Sequence, residues 1–483
     1  MMNKVKTITI VGGGTAGFIT ALILKQKFQN NIDITVVKSD KIGTIGVGEG
    51  TTEHWGMFSD YIGLDRKQII KECNATLKCG LLFTDWGGKD YMHGAYDFST
   101  PTLAGEKSMY LKLIAENKQL IAEDHFYTGQ CPDTMFDDYL LNQYHFNAIS
   151  LNEFMIKISK ERNIKVIDDI ITDVRLNYNG EIYELKSEKS NYKSDFYIDC
   201  TGFKKLLIGK MGAEWVSHKK YLTLNSAVVF PTGDTDNYNL FTLSQAMKYG
   251  YRFRIPTWGR HGNGYIYNNN YTNVDNVKKE LEEVFKTDLD IKREINYEPG
   301  YLKDVWIKNC LSVGLSANFI EPLEASSIGM TIQQSFLIAN RLHNYNETNI
   351  ESYNREVENM MINVRDFVFI HYMCKRNDTD FWKDVKKIEA PDTLKEKLEM
   401  WQTRLPLDED FNMSMGLFWS INWINILYGL DLINKDNIKY QYNMLSDNYK
   451  KQLDDMYSKI INRNKNYNLI THKQLISKIR GDK

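Results

Sequence analysis

The sequence predicts a mixed α/β protein: a parallel nucleotide-binding sheet with layers inserted between its strands, followed by a mainly helical C-terminal region. Three observations predict it. The β-branched run KTITIV (Lys6 to Val11) leads into GGGTAG (Gly12 to Gly17) and then the apolar helical pattern FITALILKQKF, the strand, turn and helix order that a dinucleotide site requires. A second strand, DITVV, ends at Val37 after so short a crossover that the two strands are expected to be parallel, with a right-handed connection. Strand-like segments return much later, at IKVI and SDFYIDCTGF after the helical stretch Asn152 to Asn163, and again at CLSVGLSANFI (Cys310 to Ile320).

These returns divide the chain. Residues 1–60, 146–214 and 301–340 are expected to form a discontinuous nucleotide-binding core. Residues 61–145 and 215–300, rich in Tyr, Asn and short strand-like runs, suit a substrate-side layer inserted into it. From 341 to 483 the pattern is mainly helical, with Trp382, Trp401, Trp419 and Trp423 as bulky core material. No internal repeat or long low-complexity linker interrupts this plan.

Bulk composition excludes several functions. The 483 residues are 42% hydrophobic and 25% charged, enough for a large core, and the 60 basic and 62 acidic side chains are spread along the chain, leaving no basic surface for nucleic acid. Cys73, Cys79, Cys131, Cys200, Cys310 and Cys374 form no CxxC pair and no secreted-type framework, and nine scattered histidines give no metal-ligand spacing. No metal is expected. The first apolar run ends in a glycine turn instead of a cleavage site, and no stretch approaches the roughly 18 consecutive apolar residues needed to cross a bilayer. The expectation is a soluble, cytoplasmic protein without a membrane partner.

In the glycine turn, Gly12 serves the tight turn, Gly14 the close approach of pyrophosphate, and Gly17 the packing of helix on strand. Thr15 and Ala16 begin the helix whose N–H groups and dipole would hold the phosphates. Where the second strand ends, an acidic residue usually meets the ribose, but here Lys38, Ser39 and Asp40 stand. Lys38 would suit a 2′-phosphate and so NADP. Against that, Gly46, Gly48, Glu49 and Gly50 form a second glycine-rich loop at once, which a simple NADP dehydrogenase does not need.

The succession GGGTAG, GVGEGT, ATLKCGLLFTDW (Ala75 to Trp86) and FIEPLEASSIG (Phe319 to Gly329) resembles the flavin-dependent tryptophan-halogenase family. DCTGF (Asp199 to Phe203), GYRFRIP (Gly250 to Pro256) and RDFVFIHYMCKRNDTDFW (Arg365 to Trp382) extend the resemblance over almost the whole chain. It implies an FAD-binding core of the aromatic-monooxygenase and halogenase type, and FADH2-dependent halogenation of an electron-rich arene, an indole or a phenol, with O2 and chloride, bromide or iodide. Hypohalous acid would be captured at Lys78, which matches the family's tunnel lysine. Burial disfavours the charged form of such a lysine. Glu324 matches the glutamate facing the reaction centre, where a carboxylate can polarise the oxidant and stabilise a cationic ring; Glu321 is its rival.

The resemblance further places halide beside Ser326 and Ser327, where Ala325, Ser326 and Ser327 replace the Ser-Thr-Gly of many tryptophan-specific members. Tyr251 and Phe253 replace the two tryptophans of the family's W-x-W-x-I-P signature. Because these signatures are altered, free tryptophan is not expected to be the best substrate. Gly314, Leu315, Ser316 and Ala317 match a later flavin-contacting turn, and Cys200, Thr201 and Gly202 an earlier one. With no second nucleotide fingerprint for NAD(P)H, a separate NAD(P)H-dependent flavin reductase is the expected partner, and a homo-oligomer the default state. Two alternatives share the glycine turns: a flavin-dependent aromatic monooxygenase, which needs neither Lys78 nor the EPLEASS loop, and a non-catalytic flavin-binding protein.

Overall fold

The computed structural model describes residues 3–43, 48–94, 107–118, 128–138, 143–291 and 293–482. Its centre is a six-stranded sheet in the order Lys165–Asp168, Asp33–Lys38, Thr7–Val11, Phe196–Asp199, Cys310–Ser312, Trp306–Ile307. Every pairing is parallel except the last. Thr7–Val11 is buried on both faces, as its unbroken β-branched sequence requires of a strand covered by helices on each side. One cover is the helix Thr15–Phe28, buried from Gly17 to Leu24.

The helix expected from Asn152 to Asn163 runs from Ala148 to Glu161. It begins earlier because the Asn147 side chain accepts from the N–H groups of Ile149 and Ser150, a cap that hydrophobic periodicity cannot show.

A seven-stranded sheet forms the second layer, in the order Arg293–Asn296, Ser226–Gly233, Arg260–Tyr267, Gly250–Thr257, Phe241–Met247, Gly80–Thr84, Tyr91–Gly94. Only Gly80–Thr84 with Phe241–Met247 is parallel. A small sheet joins three distant segments, with Tyr144–Phe146 in the middle, Glu49–Gly50 on one side and Thr76–Leu77 on the other. Its register puts Gly50 and Thr76 on either side of His145.

The C-terminal region is mainly helical, its longest helix being Glu347–His371. Trp382 and Trp423 are fully buried and Trp401 nearly so, while Trp419 is half-buried. Among the described residues no helix is long and apolar enough to cross a membrane, and no cluster of metal-ligating side chains occurs.

Candidate active site

The glycine turn fits a dinucleotide by steric contrast. Gly12 has φ +121°, and a Cβ there would lie 2.1 Å from the Cys200 carbonyl oxygen; a Cβ on Gly17 would lie 2.0 Å from the Gly12 oxygen. At Gly14 a Cβ would meet nothing within 4 Å. Two glycines are therefore demanded by the protein's own packing, whereas the middle one opens onto space. No side chain caps the helix that starts at Thr15, so its first N–H groups remain available to an anion. Ala16 is the close neighbour of Gly314, which has φ +69° and whose Cβ would come within 2.6 Å of the Ala16 Cβ. Gly314 thus packs against the glycine turn. Ala317 is buried behind it, and the Ser316 hydroxyl accepts from Gly202 N–H at 2.8 Å.

At the end of the second strand Lys38 forms an ion pair with Asp40, which consumes the charge that a 2′-phosphate would need. Among the described residues the Ser39 hydroxyl, shut off from water, has no partner. Glu49 lies across from Thr15, whose hydroxyl approaches both carboxylate oxygens at 3.3 and 3.4 Å, and burial pushes its acid up to about 7. Gly48 packs against the GYRFRIP strand, where a Cβ added to it would lie 3.4 Å from Ile255. Gly46 lies outside the described residues.

Lys78 is 1% exposed, and its Nζ donates to the Thr51 carbonyl at 2.6 Å. The small three-stranded sheet aims that carbonyl: Thr51 N–H donates to Tyr144 O, and Lys78 N–H donates to Gln143 O, so both segments are fastened to one strand. A Cβ on Gly50 would lie 3.4 Å from Thr242 Oγ1, 3.6 Å from Lys78 Nζ and 3.7 Å from the Ala325 Cβ. The second glycine loop, the lysine and the EPLEASS loop therefore meet at one point. Burial brings the Lys78 amine down to about 8, partly opposed by the negative charges of Glu324 and Glu53.

His145 completes this surround. Thr76 donates its hydroxyl to Pro256 O at 2.6 Å, so it can only accept from His145 Nδ1, at 3.4 Å. His145 Nε2 then accepts from the Thr242 hydroxyl at 2.9 Å. Burial, reinforced by Lys78, holds this ring well below its ordinary titration range, so it is neutral.

Glu324 is held between two histidines. His93 Nδ1 lies 2.7 Å from Oε2, and His371 Nε2 lies 2.8 Å from Oε1. The His93 tautomer follows from its neighbours: Asn422 accepts from Trp419 N–H with Oδ1, so its amide nitrogen donates to His93 Nε2 at 3.0 Å, and Nδ1 carries the proton toward Glu324. His371 Nδ1 donates to the Phe367 carbonyl at 2.9 Å, which turns Nε2 toward Glu324. Burial alone would raise the Glu324 acid, but the two histidines bonded to it outweigh burial and hold it below the usual carboxylate range. Ala325 follows at φ +52°, a left-handed conformation unusual for a residue with a Cβ, and turns the chain into the helix Ser326–Ala339. That helix also lacks a side-chain cap; Ser326 is buried at its start and Ser327 is exposed.

Glu321 behaves in the opposite way. Its Oε1 accepts from Tyr372 Oη at 2.5 Å, but among the described residues Oε2 has no partner, nor do the nearby hydroxyls of Tyr251 and Tyr297. Burial pushes this acid up to about 8. Tyr251 is fully buried with its ring 6.0 Å from Trp86, and Phe253 covers Gly264, where a Cβ would meet the ring at 2.4 Å.

The family model for tryptophan halogenase matches residues 7–444. The chain belongs to the tryptophan halogenase family. It is a flavin-dependent halogenase, an enzyme of mixed α/β fold. It is 31% identical to the 7-chloro-L-tryptophan 6-halogenase KtzR of a Kutzneria species, over 83% of this chain and 85% of that one. To the tryptophan 7-halogenase RebH of Lentzea aerocolonigenes it is 27% identical, over 90% and 91% of the two chains. The crystal structure of the tryptophan 6-halogenase SttH of Streptomyces toxytricini superposes with a TM-score of 0.86 at 26% identity, covering 98% of this chain and 99% of that one. Xcc4156, a flavin-dependent halogenase from Xanthomonas campestris, gives 0.85 at 26% identity, with 99% and 98% covered.

Several parts of this halogenase's candidate site escape sequence reasoning: Thr51, Thr242 and His145 around Lys78, and His93, His371 and Asn422 around Glu324. Two of them carry a signal: Thr51 ends GVGEGT, and His371 stands inside RDFVFIHYMCKRNDTDFW. The others are single common residues, and long-range strand pairing makes them neighbours.

Proposed function

We propose that this halogenase uses FADH2, O2 and halide to halogenate an electron-rich aromatic substrate, with hypohalous acid captured at Lys78. The observation that carries this reading is the burial of Lys78 where the Gly50 loop, Thr242 and Ala325 converge. FAD would be held by Gly12, Gly14, Thr15, Ala16 and Gly17, with Ser39, Glu49 and Gly50 on its flank and Gly314 and Ala317 supporting the turn. Bound and reduced, it supplies the electrons that convert O2 and halide into the oxidant. A separate NAD(P)H-dependent reductase would deliver the reduced cofactor. The uncapped start of the helix at Ser326 and Ser327 suits the halide, because unpaired N–H groups attract an anion.

Near neutral pH the Lys78 amine exists in both protonation states. The cation can donate a hydrogen bond to the oxidant, and the neutral amine has a lone pair on which halogen can be carried. Thr51 holds Nζ in place for either role. Glu324 is too acidic to act as a strong base, and its oxygens are already engaged by His93 and His371. It serves as a fixed negative charge, polarising the oxidant and stabilising the cationic ring before the ring proton leaves.

Product analysis by mass spectrometry tests this, using FAD, a flavin reductase, NADH and a panel of indoles and phenols with chloride, bromide or iodide. Halide-dependent mass shifts that disappear in Lys78→Ala are expected. Halide-independent addition of oxygen would make the protein a monooxygenase instead, and flavin binding without any product would leave a non-catalytic binder.

A further inference from the structure

We infer that the C-terminal tail is a latch that positions the Lys78 segment, with His472 as the positioning residue. The family match ends at residue 444, so the tail lies beyond it. After the helix Asp447–Asn464 the chain returns as a strand, Leu469–Thr471, which pairs antiparallel with Gln130–Pro132, and then forms the helix His472–Arg480. A capping box fixes where that helix starts: Thr471 accepts from Gln474 N–H, and Gln474 accepts from Thr471 N–H.

His472 is fully buried, and its two ring nitrogens have fixed roles. Nδ1 faces the Tyr238 carbonyl at 3.1 Å, which can only accept, so Nδ1 carries the proton. Nε2 is then an acceptor and takes the Leu77 backbone N–H at 3.2 Å. Leu77 adjoins Lys78 and ends the Thr76–Leu77 strand, whose N–H groups the small sheet does not all satisfy. The imidazole therefore bridges the strand that leads into the lysine to the backbone at Tyr238. Burial holds this ring in its neutral form, the only form able to accept.

The other end of the same helix grips the same region. Arg480 donates to the carbonyls of Ile70 and Lys71 at 3.0 and 3.1 Å, closing the end of the helix Arg66–Glu72, and its guanidinium lies over Trp258. Leu475 and Ile476 are buried between these two anchors. A nine-residue helix is thus pinned at both ends to the segments that flank the lysine on its N-terminal side. Thr51 fixes the side-chain end of Lys78, and His472 fixes the backbone from which that side chain springs.

This role rests on the reaction proposed above, so its test includes a measurement that does not. His472→Phe keeps a buried ring but removes the acceptor; His472→Gln restores an acceptor at the Nε2 position. By hydrogen exchange, the Leu77 and Lys78 amides should exchange at least tenfold faster in the Phe variant and return toward wild type in the Gln variant, whatever the enzyme's substrate. In turnover, loss of alignment should lower kcat for arene halogenation by about 10- to 100-fold. KM for the arene and the halide-dependent release of oxidant, trapped by an external dye, should stay unchanged, and Gln should recover most of the loss. Unchanged exchange at Leu77 and Lys78 in the Phe variant would overturn the latch. So would a Phe variant that halogenates like wild type, or one that loses oxidant formation and halogenation together with no rescue by Gln. A wild type that halogenates nothing, with the exchange pattern as expected, would fault the proposed reaction and leave the latch standing.

Discussion

Glu321 offers a sharp test of the electrostatics around the site. It is a buried carboxyl with one oxygen bonded to Tyr372 and the other unpartnered among the described residues, and burial pushes it from 4.5 up to about 8. The folded protein therefore holds a proton that the unfolded chain gives up above pH 4.5. Stability from this group is fully present below pH 4.5 and is lost as pH rises toward 8. Glu321→Gln keeps the shape and the acceptor for Tyr372 but cannot ionise, and its new N–H groups face the neighbourhood of Tyr251 and Tyr297. Between pH 5 and pH 7.5, two and a half pH units at 1.36 kcal/mol each amount to about 3 kcal/mol by which the variant should gain on wild type. Chemical denaturation of both proteins at the two pH values measures it. At pH 5 the two should differ by about 1 kcal/mol or less, and at pH 7.5 Glu321→Gln should be clearly the more stable. A difference that does not change with pH would refute the assignment of a neutral, buried acid.

Other perturbations follow from the same geometry. Lys78→Met should abolish halogenation while leaving flavin affinity within about twofold of wild type, because the amine that Thr51 O holds is lost while the aliphatic stem is kept; flavin fluorescence titration beside product analysis checks both. Replacing His371 with Leu leaves the Glu324 charge short of a partner and should destabilise the fold by about 3 to 5 kcal/mol, read by denaturation. Gly14→Ala should fold normally and weaken flavin binding roughly tenfold, since its Cβ projects into open space, whereas Gly12→Ala should fail to accumulate as folded protein because its Cβ meets Cys200 O. In a substrate panel free tryptophan should be turned over more slowly than another indole or phenol, consistent with Tyr251 and Phe253 in place of tryptophans; fast, regioselective turnover of tryptophan would contradict this.

The sequence by itself determined the nucleotide end of this protein. Strand, glycine turn and helix are contiguous, so the local rules of φ, packing and helix dipole act on neighbours in the chain, and Gly12, Gly14 and Gly17 could be assigned separate tasks. Lys78 and Glu324 stood out through the motifs around them. What surrounds those two residues was decided by the tertiary structure alone. Lys78 meets Thr51 because Glu49–Gly50 and Thr76–Leu77 pair with opposite edges of Tyr144–Phe146, a strand far along the chain from both. Glu324 is acidic and Glu321 neutral although three residues separate them, because one faces His93 and His371 and the other faces tyrosine hydroxyls. Side-chain charge depends on the polar atoms within a few ångströms, and in a buried site those atoms come from wherever the sheet register and helix packing bring them.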